Sequence, residues 1–171
     1  LIRRRIVRVI DALSERAKEH RDTVCLSYTH FQPAQPTTFG RRLCLYLQDL
    51  LIDLEELEHR QATLRFRGAK GTTGTQASFL TLFDGDHGKV EELDRRVAAA
   101  FGFERTYPVV GQTVSRKVDA QAMSFLAGVG QSARKFANDV RLLMGLGCLE
   151  EPWQASQIGS SAMAYKRNPM R

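Results

Sequence analysis

Two long stretches of this chain carry apolar seams that step by four and three, and that spacing constrains the fold more than any other feature. The first runs through Leu43, Leu47, Leu50, Leu54 and Leu57. The second runs through Ala122, Leu126, Val129, Ala133, Phe136, Val140 and Leu143. A repeat averaging three and a half residues keeps one side of a helix facing a partner helix along its whole length. The spacing predicts helices over residues 37–65 and 116–146. Asp53, Glu55, Glu56 and Glu58 are expected on the other faces of the first helix. Gly128 and Gly130 each cost the second helix about 1 kcal/mol of propensity, and are expected to allow close approach of another helix.

A third amphipathic helix is predicted from residue 2 to about 21, with Ile2, Ile6, Val9, Ile10, Leu13 and Ala17 three or four apart. Residues 24–35 read as an extended segment interrupted by Pro33 and Pro36. Residues 66–78 form a glycine/threonine loop. A shorter helix follows over 88–100, closed by Gly102, and residues 103–115 are irregular around Pro108 and Gly111. Helices with long seams and almost no strand signal argue an all-α, long-helix bundle. Apolar stripes on two sides of such helices imply association with further copies; a monomeric bundle of three or four helices is the simpler alternative.

Composition narrows the function classes. At 171 residues, with 43% hydrophobic and 26% charged, the chain is globular and sized for one domain. It opens at Leu1 with a helical pattern already running and stops at Arg171, so a piece of a longer protein is expected, with 1–171 its central helical domain. No run of about 18 apolar residues predicts a membrane span, and the arginine-rich start lacks the apolar core of a signal peptide. Cys25, Cys44 and Cys148 are odd in number and widely spaced, which fits reduced thiols in a cytoplasmic protein rather than a disulfide or zinc framework. The net charge of +6 suits nucleic acid or small anions, but no nucleic-acid module is recognisable, so small anionic substrates are the expected partners.

Three segments carry chemistry. In the run from Gly159 to Pro169, a glycine, two serines and Lys166 share one turn. Backbone N–H groups and an ammonium can converge there on an anion, and a serine in that field becomes a candidate nucleophile or proton carrier. In Tyr28-Thr29-His30-Phe31-Gln32-Pro33-Ala34-Gln35, an imidazole that titrates near neutral pH sits on a restrained backbone, as proton transfer to a leaving group requires. His20, His59 and His87 lie on helix faces or in a polar loop and read as structural. In the run from Arg67 to Phe79, glycines admit a ligand to the backbone and threonine hydroxyls can donate to carboxylates. The order there is not that of a Walker loop.

The order G-S-S-x-M-x-x-K-x-N-P resembles the signature loop of the fumarase/aspartase superfamily. The runs Thr-His-Phe-Gln-Pro-Ala-Gln and Lys-Gly-Thr-Thr-Gly-Thr-Gln-Ala-Ser-Phe resemble, within it, the adenylosuccinate lyase family. The resemblance spans residues 17 to 171. It implies elimination of fumarate from succinyl-nucleotides, with His30 as the acid towards the departing nitrogen and Ser160 as the base. It further implies Thr29, Gln112, Ser161, Lys166 and Asn168 as substrate-binding or loop-fixing residues. Gln112 is carried over from a smaller match, Gly111-Gln112-Thr113 with Arg116-Lys117-Val118-Asp119; a polar residue near a helix start is its plain alternative. No metal or organic cofactor is implied. The family assembles as a homotetramer with active sites shared between subunits, and also needs N- and C-terminal regions not represented here. Ala164 stands where the family usually has proline, which leaves the loop less restrained. Another fumarate-releasing lyase, such as argininosuccinate lyase, or a non-catalytic helical assembly module are the alternatives.

Overall fold

The apolar spacing at the start of the chain winds into α1 (Ile2–Glu19), which buries Ile6 and Ala17. The structure, a computed structural model, describes residues 1–154 and 156–167. The chain forms two compact units, Leu1–Leu51 with Val129–Arg171, and Ile52–Gly128. Two long helices, α2 (Phe39–Thr63) and α5 (Arg116–Gly145), each continue from one unit into the other.

In the first unit, residues 24–35 are not a single extended segment but most of a hairpin. Strand β1 (Val24–Thr29) pairs antiparallel with β2 (Gln32–Thr38), Thr29 opposite Gln32 and Val24 opposite Thr38, with an irregularity between Leu26 and Tyr28. His30 and Phe31 make the reversal with φ of 50° and 60°. Two consecutive left-handed residues are the geometry of a tight two-residue hairpin turn, which normally selects Asn or Gly. Its unusual composition, and the prolines, hid the hairpin from sequence reasoning. Pro33 and Pro36 are tolerated because both strands of a two-stranded sheet have an open edge.

Gly40 seats the start of α2 on the end of α1, since a Cβ there would overlap the Ala17 carbonyl. Phe39 N–H bonds Thr23 O at 2.8 Å, and Gly40 N–H bonds His20 O at 2.9 Å. Ala17, Leu43 and Tyr46 form the core, with Leu13, Phe39 and Leu47 against it. Burying a side chain such as Leu43 stabilises by about 1.5–3 kcal/mol. Tyr46 meets Asp139 and Phe136, and Asp49 meets Lys135. Partner numbers fall as those on α2 rise, so α2 and α5 run antiparallel here.

In the second unit, α3 (Ala77–Leu82) is a short helix absent from the sequence reading. The side chain of Asp86 accepts from Lys89 N–H at 3.1 Å and caps α4 (His87–Ala100), whose buried stripe is Val90, Asp94 and Ala98. Phe66 stacks on Phe101 at 5.2 Å and packs on Phe103 at 5.4 Å, and pairs as an isolated bridge with Thr106.

The seams need correction. Beyond Gly40, the buried residues of α2 are Leu43, Tyr46, Asp53 and Leu57, so Asp53, expected on an outer face, faces inward. On α5, Phe125 and Leu143 are buried while Leu126, Ala133 and Phe136 are exposed. A heptad leaves two adjacent stripes available, and packing selects between them. Gly128 needs no close approach within the described residues: a Cβ would lie 3.7 Å from Asp53 Oδ1, and one at Gly130 would meet nothing.

Candidate functional site

The hairpin tip, α2 and α5 enclose an open cleft of about 820 Å³ in the first unit. Thr29 and His30 line it beside Arg41, Arg42, Tyr46 and Asp139. Thr29 and His30 are exposed, and the left-handed turn sets the imidazole at the end of the hairpin. Arg42 braces the strand by donating to Leu26 O at 2.5 Å. Tyr46 donates to Asp139 Oδ2 at 3.1 Å; burial, and then the Asp139 carboxylate, push its phenol pKa well above the usual range. Arg41, Arg42 and the Tyr46–Asp139 pair escaped the sequence reading. The two arginines at the start of a helix were the available signal for the first half; nothing local marked the second.

The signature loop lies in the same unit, but none of Ser160, Ser161 and Lys166 lines that cleft. Ser160 is half-buried, and its Oγ faces the N–H groups of Ala162 at 3.4 Å and Met163 at 3.3 Å. Two donors aimed at one hydroxyl oxygen favour negative charge on it. Ser161 and Lys166 are exposed, and the Lys166 N–H closes the turn on Met163 O at 3.0 Å. The loop folds back on Trp153: a Cβ at Gly159 would lie 2.5 Å from the indole Cη2, and the Arg167 guanidinium sits 5.4 Å above the ring. Asn168 lies outside the described residues.

Gln112 lies in the second unit, exposed in the loop before α5. The neighbouring glycine loop is held from two sides. Lys70, 6% exposed, is consumed by a 2.7 Å ion pair with Asp94, 5% exposed. Asp94 also accepts from Ala69 N–H at 2.6 Å and Thr106 Oγ1 at 2.9 Å. Burial pushes its carboxyl upward, but the hydrogen bonds from Lys70, Thr106 and Ala69 outweigh that and hold the pKa below the usual value. Gly68, at φ 92°, has Asp94 Oδ1 where a Cβ would be, 2.5 Å away. Thr72, Thr73 and Thr75 remain exposed. The loop's lysine is thus structural, and its hydroxyls face out. Asp94, placed on a helix by its spacing, gave no sequence signal of this role.

Among the described residues, no three His, Cys, Asp or Glu side chains gather as a metal site needs. No helix among them is long and apolar enough to cross a membrane.

Comparison with known proteins supplies what one chain cannot. A family model described as Lyase matches residues 1–171. The chain is 54% identical over 167 residues to adenylosuccinate lyase of Schizosaccharomyces pombe, covering 98% of this chain and 35% of that protein. Identity to adenylosuccinate lyase of Schistosoma mansoni is 52% over 168 residues, with 98% and 35% covered. The chain therefore spans about a third of the length of these relatives. A crystal structure of fumarate lyase from Mesorhizobium sp. BNC1 superposes with a TM-score of 0.73 at 28% identity, over 86% of this chain and 33% of that one. A match over every residue, agreeing with the mostly helical fold and the serine–lysine loop, places the chain in the lyase family, alongside its adenylosuccinate lyase relatives.

Proposed function

We propose that the protein containing this chain is an adenylosuccinate lyase of purine biosynthesis, cleaving adenylosuccinate to AMP and fumarate, and SAICAR to AICAR and fumarate. The observation that carries the reading is the identity to adenylosuccinate lyases, 54% and 52% over nearly the whole chain. Ser160, as alkoxide, takes the proton from the carbon beside a substrate carboxylate. The Ala162 and Met163 N–H groups facing its oxygen support that state. The carbanion spreads into the carboxylate, where Ser161 and Lys166 offer donors and a cation. The C–N bond breaks with its electron pair going to nitrogen, which takes a proton from His30. Thr29 and Gln112 bind the substrate, and Asn168 holds the loop.

No metal or organic cofactor enters this sequence of steps. The protein works in the cytoplasm as a homotetramer, and His30 of one subunit meets Ser160 of another. That Ser160 does not line the cleft holding His30, and that Leu45, Ile52, Met123 and Leu126 are exposed apolar side chains, support sites shared between copies. Fumarate release by the full-length protein from adenylosuccinate, SAICAR and argininosuccinate tests the activity; release from argininosuccinate alone refutes it. His30→Ala and Ser160→Ala proteins, each inactive, are expected to regain part of the activity when their subunits are mixed. Confirmed mixed tetramers with no recovered activity refute the shared site.

A further inference from the structure

Arg67 lies at the start of the glycine loop and reaches the loop of Gln112, and its two terminal nitrogens donate to backbone carbonyls. Nη1 donates to Gly68 O at 3.3 Å, and Nη2 to Gly71 O at 2.8 Å and to Gly111 O at 2.9 Å. The last acceptor is the peptide group that joins Gly111 to Gln112. A second contact locks the same two loops: Gly74, at φ 82°, packs so closely on Val110 that a Cβ would overlap the carbonyl. The glycine loop is itself anchored, by the Lys70–Asp94 pair and by Gln76, whose Nε2 donates to Ala69 O at 3.0 Å. Among the described residues the buried Arg67 Nε has no acceptor, a desolvation cost that the side chain carries while its other end bridges the loops.

We propose that Arg67 is a positioning residue for Gln112. It makes no contact with substrate. Its planar fork ties the carbonyl before Gln112 to an anchored loop, so the Gln112 amide is held in place before substrate arrives. A lysine has one compact ammonium and cannot reproduce the fork. The inference rests on the functional reading above, in which Gln112 binds substrate.

The test is a double-mutant cycle in the full-length protein. Arg67→Met is expected to lower kcat/KM roughly 10- to 100-fold, the scale of a misplaced binding group, mainly through KM. Arg67→Lys is expected to recover part of the loss. On a Gln112→Ala background, Arg67→Met should change kcat/KM less than about twofold, because the group it positions is gone. An equal loss on both backgrounds overturns the proposal. Amide hydrogen exchange provides a readout independent of turnover. Arg67→Lys is expected to speed exchange in 71–75 and 110–113 together while α4 keeps its protection, and acceleration confined to 71–75 overturns the brace. If the wild-type protein neither cleaves nor binds succinyl-nucleotides, the functional reading fails, and with it the role towards substrate. The exchange result then decides the brace alone.

Discussion

Removing one partner of the Lys70–Asp94 pair should destabilise the second unit strongly and asymmetrically. Lys70→Met strands a carboxylate that is 5% exposed. Breaking a buried pair in this way costs about 3–5 kcal/mol. Asp94 would keep two donors, Ala69 N–H at 2.6 Å and Thr106 Oγ1 at 2.9 Å, which places the cost near the lower end, about 3 kcal/mol. Asp94→Leu strands the ammonium and also removes the acceptor of the Ala69 N–H, adding about 1–3 kcal/mol. The total is about 5 kcal/mol or more. The double variant leaves no buried charge and is expected to be more stable than Asp94→Leu alone. Urea denaturation of the full-length variants, at one protein concentration because subunit association contributes, measures all three. A loss below about 1 kcal/mol for Lys70→Met would show a screened surface pair, and Asp94→Leu no worse than Lys70→Met would refute the role given to the extra donors. The sign of the pH dependence follows from the lowered Asp94 pKa. Its stabilisation is complete above the unfolded carboxylate value near 3.9, and is lost as pH falls through the lower folded value. Acid unfolding of Asp94→Leu should lack this component.

Gly74→Ala is expected to cost more than about 2 kcal/mol, from the left-handed backbone and the overlap with the Val110 carbonyl; thermal denaturation measures it, and a neutral result means the two loops do not interlock. The raised pKa of Tyr46 means that stability tied to its protonated phenol is full below the unfolded value near 10 and is lost as pH rises through the folded one. Absorbance titration between about pH 10 and 11 should therefore show the same tyrosinate amplitude in wild type and Tyr46→Phe, and an amplitude smaller by one tyrosine in the variant refutes the burial argument.

Local spacing made the long helices legible. Apolar residues three and four apart can share a face only in a helix, so α1, α2, α4 and α5 follow closely from the chain, with ends displaced by a few residues. The motif segments were equally visible, because glycine, serine and threonine runs restrict local backbone shape. Tertiary structure decided which of two adjacent stripes on α2 faces inward, and so buried Asp53 rather than leaving it outside. It also decided that residues 24–38 fold back as a hairpin through His30 and Phe31, a turn whose composition carries no ordinary turn signal. The reach of Arg67 to Gly111, of Lys70 to Asp94 and of Tyr46 to Asp139 depends on pairs far apart in sequence. Periodicity reports only what neighbours along the chain share. Which distant groups meet, and which charge is buried with which partner, is settled when helices and loops pack against one another.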